Sequence, residues 1–141
     1  MNSLIVVSDF DLERLDAILG ALGERDKPIK DRLIQKLDQA DILDSKDIPP
    51  TVVTLNSTVK FRLSNTKEPL RMTLTLPSRI PQPDDALSIL TPTGIALLGQ
   101  SEGSSAGFTL INGESATLWI DEIVYQPERG LIKTNSKQYP G

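Results

Sequence analysis

The chain of 141 residues contains no cysteine and no histidine. Their absence removes the usual ligands of structural zinc, the thiol and imidazole nucleophiles, and the commonest general base near neutral pH. Thiol, zinc and His-triad mechanisms are therefore excluded. Aromatic residues are also scarce, at 4%, so the core has to be built mainly from aliphatic side chains. No apolar stretch approaches the roughly 20 residues that a membrane span requires. Residues Met1 to Asp9 carry no basic segment and only a four-residue apolar run, unlike a signal peptide. The expected location is the cytoplasm, and neither a cofactor nor a metal is expected.

What is present fits a soluble globular chain, with 38% hydrophobic and 24% charged residues. The length suits one domain, or a smaller one with an appendage, and excludes two large domains. From Ser8 to Leu22, Leu12, Leu15, Leu19 and Leu22 recur at spacings of three, four and three, which predicts a helix with one apolar seam. Ser8 and Asp11 form a capping pattern, and Asp9 and Asp11 suit the positive end of the helix dipole. After a turn at 23–27, Pro28 stands where a first helical residue tolerates it, and Ile29, Leu33, Leu37 and Ala40 make a second seam. Two seams and a short turn predict an antiparallel helical hairpin near residues 8 to 43, a short coiled coil within a unit spanning 1–47.

Pro49 and Pro50 end the helical pattern and mark a junction. Residues 48–141 then read as an independent antiparallel sheet. Val59, Phe61 and Leu63 alternate with Lys60 and Arg62, and Leu70, Met72, Leu74 and Leu76 alternate with Arg71, Thr73 and Thr75. Residues 107–111 and 116–125 predict a hairpin turning near Asn112-Gly113. Its second strand slips in apolar parity from Leu118 and Ile120 to Ile123 and Tyr125, a sign of a bulge across Asp121-Glu122. Thr91 to Gly99 predicts one short helix near 92–98. The expected core includes Val59, Phe61, Leu74, Leu97, Leu98, Leu118 and Ile120, and the aromatics Phe108, Trp119 and Tyr125 are assigned to it too. The tail from about residue 129, with Tyr139, is polar and expected to fray.

Charge divides unevenly. Residues 1–47 hold eleven Asp or Glu against seven Lys or Arg, whereas residues 48–141 hold eight of each. An acidic projection on a neutral sheet lacks the clustered cations that phosphate contacts require. Direct nucleic-acid recognition is not expected; protein partners fit better, although acidic helices are also simply soluble ones.

The run Asp47-Ile48-Pro49-Pro50-Thr51-Val52-Val53-Thr54-Leu55-Asn56-Ser57-Thr58-Val59-Lys60-Phe61 resembles the linker and first strand of the Rnk family, close to P-x-x-VVT-[ML]-NS-x-V-x-F. Pro92 to Gly99 resembles the family's P-x-G-x-ALLG segment, and Tyr125-Gln126-Pro127-Glu128 its YQPE segment. The three occur in the family's order and span most of the second unit. The resemblance implies an α+β fold: an N-terminal antiparallel coiled-coil hairpin followed by an FKBP-like antiparallel β domain of the type found in Gre transcript-cleavage factors. Two departures stand out. Gly103-Ser104 occupies a place where relatives often have Gly-Asp, in a loop 100–107 rich in small residues, and Ile111-Asn112-Gly113-Glu114 replaces a Pro-Gly-like turn.

The resemblance further implies a non-enzymatic regulator that binds RNA polymerase, with an effect on nucleoside diphosphate kinase exerted indirectly. A monomer is expected. Gre factors pass a long coiled coil through the polymerase secondary channel and present tip carboxylates that help hold a catalytic magnesium ion. The corresponding candidates here are Glu24, Asp26 and Asp31, with Ser104 as a contact on the second unit. Alternatively, Glu24 and Asp26 are solvated turn residues and Asp31 pairs with Lys27 or Arg32. Helices of about fourteen or fifteen residues give a finger of about 21 Å, short of a cleavage factor's reach. That favours a competitor of Gre factors over a cleavage enhancer. A direct kinase modulator and a peptidyl-prolyl isomerase are the alternatives, the latter opposed by the lack of aromatics for a prolyl pocket.

Overall fold

The computed structural model describes residues 5–66, 68–78 and 80–129, so the expectations for the tail and Tyr139 lie outside the described residues. A short strand, β1 (Val6–Ser8), leads directly into α1 (Asp9–Ala21). The Ser8 hydroxyl accepts the Asp11 amide at 2.9 Å, so the predicted cap forms. A single 3-10 turn, Glu24–Asp26, reverses the chain into α2 (Lys27–Asp38), with Pro28 in its first turn. The chain then enters β2 (Asp41–Leu43), which pairs in parallel with β1 through Val6↔Asp41, Val7↔Ile42 and Ser8↔Leu43. The helix pair is thus closed at its base by a two-stranded ladder. The four-residue apolar run near the start supplies part of it, and Val7 is buried.

After a second 3-10 turn at Ser45–Asp47 come β3 (Thr58–Leu63), β4 (Leu70–Thr75), β5 (Ala86–Ser88), α3 (Pro92–Leu97), β6 (Ser105–Thr109) and β7 (Ser115–Tyr125). They form one five-stranded sheet in the order β5-β4-β3-β7-β6. The fold is α+β, but the sheet is not purely antiparallel, because β5 runs parallel to β4. The segment 76–85, with Pro77, Pro81 and Pro83, cannot supply a regular ladder and carries the chain back before it pairs again.

Two bulges, rather than one, re-aim β7. Phe61 faces Ile120 while Lys60 faces Glu122, which leaves Asp121 unmatched, and Val59 faces Ile123 while Thr58 faces Tyr125, which leaves Val124 unmatched. Leu118, Ile120 and Ile123 therefore all reach the core. The same geometry corrects the assignment of the aromatics. Trp119 is 37% and Tyr125 55% exposed, because both lie off the buried parity of β7. Trp119 instead lies under the Arg62 guanidinium, 5.4 Å from its ring centroid. Of the aromatic core candidates, Phe61 is fully buried and Phe108 packs at the margin.

Val59, Phe61, Leu74, Leu97, Leu98, Leu118 and Ile120 are all buried as expected. Leu15, Leu19 and Leu33 of the helix pair belong to the same apolar cluster as Val53, Phe61 and Leu98. The expected independence of the sheet is thus not found. Each unit hides its apolar face on the other, and α2 is fastened to β6 and α3 by polar bonds as well. Arg32 Nη1 donates to the Thr109 carbonyl at 2.6 Å, and Lys36 Nζ donates to those of Ile95 and Ala96 at 2.8 and 3.0 Å.

Two glycines permit this packing. A Cβ on Gly94 would stand 2.2 Å from the Ser88 carbonyl oxygen, so only glycine lets α3 rest there. Gly99 has φ +82°, and a Cβ on it would meet Ile5 Cγ2 at 2.4 Å and the Val6 backbone at 3.1 Å. The strand β1 crosses directly over it, with the Val6 amide donating to the Gly99 carbonyl at 3.2 Å.

Candidate functional site

The tip of the helix pair begins at Gly23, whose carbonyl accepts the Asp26 amide at 3.1 Å. Glu24 is exposed and Asp26 half-buried. Asp31 lies one turn into α2 and pairs with Lys27 at 3.2 Å, both side chains more than half exposed. The three carboxylates therefore sit in different settings: Glu24 free on the surface, Asp31 neutralised within its own helix, and Asp26 on the wall of a cleft. That cleft, of about 490 Å³, runs between the tip and the sheet and is also lined by Arg25, Arg32, Leu90 and Ile111. Ile111, at the turn between β6 and β7, is 86% exposed. Among the described residues, no group of three or more Asp or Glu is placed to hold a metal ion.

Ser104 lies apart from the tip, in the turn before β6. Its hydroxyl is 2.7 Å from the Ser101 carbonyl and 3.2 Å from Gln100 Oε1, so its bonds hold the turn together. Gly103 takes φ +82° there, and its amide donates to the Ile120 carbonyl at 2.8 Å.

The densest polar arrangement is a buried joint between the helix pair and the sheet, which sequence reasoning missed. Asp11 is fully buried. One carboxylate oxygen is bonded to Arg14 and the other accepts the Leu55 amide at 3.1 Å. Arg14 also covers the Phe10 ring at 4.6 Å. Beside them, Thr54 Oγ1 donates to Glu128 Oε1 at 2.7 Å, and the Thr54 amide donates to Ser57 Oγ at 2.9 Å. Burial raises the Glu128 carboxyl above its usual 4.5; the Thr54 hydroxyl opposes that rise, and the Asp11 charge adds to it. Gln126 Nε2 donates to the carbonyls of Pro49 and Val52, each at 2.8 Å, and Arg129 Nη2 reaches that of Pro50 at 2.8 Å. The segments Val52–Ser57 and Tyr125–Glu128 are thus two halves of one clamp on the junction, with Asp11 as its third member. In the sequence the segments are visible only as family resemblances and Asp11 only as a capping residue, and nothing there joins them.

Residues 4–43 match the family described as Rnk N-terminus, and residues 48–125 match the family described as transcription elongation factor, GreA/GreB, C-term. The chain is 37% identical over 124 residues to the regulator of nucleoside diphosphate kinase of Escherichia coli K12, covering 88% of this chain and 91% of that one. The chain belongs to the Rnk family. The protein of that name from Shigella flexneri matches equally, at 37% identity over the same extents. A solved structure described as prokaryotic transcription elongation factor GreA/GreB from Nitrosomonas europaea superposes with a TM-score of 0.68 at 37% identity, covering 86% of this chain and 99% of that one. The Rnk N-terminus match spans β1 through β2, and the Gre-type match spans the sheet. The residues between them, 44–47, include the 3-10 turn Ser45–Asp47, preceded by Asp44, whose Oδ1 accepts the Lys46 amide at 3.1 Å.

Proposed function

We propose that this Rnk-family chain is a transcription regulator that binds RNA polymerase near the secondary channel and competes with Gre-type factors without stimulating transcript cleavage. An effect on nucleoside diphosphate kinase levels would follow through transcription, with no contact to the kinase. The reading rests on the membership of both halves in families named for Rnk and for elongation factors. What distinguishes a competitor from a catalyst is the tip. Helices of 13 and 12 residues span only about 20 and 18 Å at 1.5 Å per residue. The tip also does not present a pair of free carboxylates, since Asp31 is held by Lys27 and Asp26 lines the cleft against the sheet. Glu24, Asp26 and Asp31 serve as polymerase contacts in this reading, and Ser104 shapes a second contact on the sheet.

Backtracked polymerase complexes test it. With saturating protein they should cleave nascent RNA no faster than polymerase alone, and more slowly than otherwise when a Gre factor is also present. Asp31→Asn should weaken that competition modestly, by about 1 kcal/mol or less for an exposed charge. Stimulated cleavage, abolished by Asp31→Asn or by changes at Glu24 and Asp26, would make the protein a catalytic factor.

A further inference from the structure

We propose that the cleft bounded by α2, α3 and β6 is a binding site for a small organic phosphate. Its phosphate would be held by Arg32 and Lys36, and its apolar body would lie against Ile95, Ala106 and Phe108. The cleft has a volume of about 360 Å³, within the range of roughly 300 to 1,000 Å³ usual for small-molecule sites. It adjoins the tip cleft, with which it shares Arg32 and Pro92, and is separate from the buried joint. The proposal stands whether or not the polymerase reading holds.

Charge carries the argument. The protein as a whole is acidic, at −4, yet among the described residues the lining of this cleft contains two cations and no carboxylate. Arg32 and Lys36 are one helical turn apart on α2, so both reach the same volume. Neither forms an ion pair among the described residues, so neither charge is already neutralised by a carboxylate. Their existing bonds leave capacity. Arg32 gives a single N–H to Thr109 and Lys36 two of its three to Ile95 and Ala96, so a guanidinium edge and one ammonium hydrogen remain. Burial lowers the Lys36 ammonium from 10.5 to about 8, as expected of a cation enclosed without a counter-charge.

The rest of the wall suggests what the anion carries. Phe108, Ile95 and Ala106 form an apolar side, and Gln35, Gln39 and Gln100 bring amides that both donate and accept. A bare inorganic ion would leave that side uncovered. The arrangement suits a phosphate ester with a flat or apolar body and polar edges, of about the size of a mononucleotide.

Amide spectra of the full-length protein provide the test, with inorganic phosphate, adenosine 5′-monophosphate and phosphate-free adenosine as probes. The phosphate ester should shift the Gly107 and Phe108 amides and the Gln35, Gln39 and Gln100 side chains saturably. It should bind at least tenfold more tightly than inorganic phosphate, and adenosine should not bind. Arg32→Gln and Gln35→Glu should each weaken binding tenfold or more; Gln35 is exposed, so the latter adds charge at the rim without disturbing the core. Lys46→Gln, remote from the cleft, should leave it unchanged. Absence of saturable shifts, equal binding of both phosphates, or equal losses in the Lys46→Gln control would each overturn the proposal.

Discussion

The Thr54 hydroxyl donates to Glu128 at 2.7 Å across 74 residues of sequence, joining the strand-entry segment to the end of the last strand. Both residues are buried, and the bond lies beside the Asp11 carboxylate. This places an acidic group where its ionised form is disfavoured, and the consequence can be measured.

Glu128 has a folded pKa raised above 4.5, first by desolvation. The folded state therefore holds the proton more tightly than the unfolded chain does. The stability this contributes is fully present below about pH 4.5 and is lost as pH rises through the folded pKa. Glu128→Gln keeps an oxygen to accept the Thr54 hydroxyl and removes the titration. Denaturation of both proteins between pH 4 and 8 should show the variant gaining on the parent as pH rises, and equal to it or more stable at pH 7. A parallel pair of curves would contradict this.

Asp11→Ala should be costly, because it strands Arg14 and leaves the Leu55 amide without its partner. Loss of one member of a buried pair amounts to about 3 to 5 kcal/mol, and the part-exposed Arg14, 29% accessible, points to the lower end. A double-mutant cycle with Arg14→Ala separates the pair from the Leu55 bond. Additive losses would mean that Arg14 contributes nothing through Asp11.

Gly99→Ala and Gly113→Ala form a matched comparison. Both positions have positive φ, +82° and +90°, so each substitution carries a backbone cost of about 1 to 2 kcal/mol. Only at Gly99 would the new methyl also collide with β1. Thermal unfolding should show Gly99→Ala the more destabilised, with hydrogen exchange at Val6 and Asp41 accelerated in that variant alone.

Phe61 is fully buried at the centre of the sheet. Phe61→Ala should cost roughly 3 to 5 kcal/mol in chemical denaturation, the usual penalty for an aromatic cavity.

Much of this architecture is written locally. The leucine spacing of α1, the proline at the start of α2 and the alternation of β3 and β4 are patterns over a few residues, and the structure follows them. Features made by distant partners were hidden. The run Leu4 to Val7 was read only as unlike a signal peptide, because the partner of β1, Asp41–Leu43, is polar at one end and more than 30 residues away. Residues Ala86–Ser88 follow a proline-rich segment, so their parallel pairing had no local signature. Trp119 and Tyr125 were assigned to the core by residue type, against the parity that the bulges impose. The tip carboxylates were candidates implied by the family resemblance, and their settings depend on how α2 lies along the sheet. Arg32 was considered only as a partner for Asp31, and Lys36 passed unremarked, because a cleft between a helix and an edge strand has no sequence motif.

The ladder between β1 and β2 makes the base of the helix pair indifferent to the length of what it closes. Residues entering through Val6–Ser8 and leaving through Asp41–Leu43 are held by three register pairs, by Gly99 beneath them, and by Arg32 and Lys36 on the returning helix. The turn at Glu24–Asp26 contributes to none of these fastenings. Seven residues added to each helix at that end would carry the tip outward by about 10 Å, at 1.5 Å per residue, with every anchor still in place. On this geometry the reach of the helix pair and the integrity of the domain's base can vary separately.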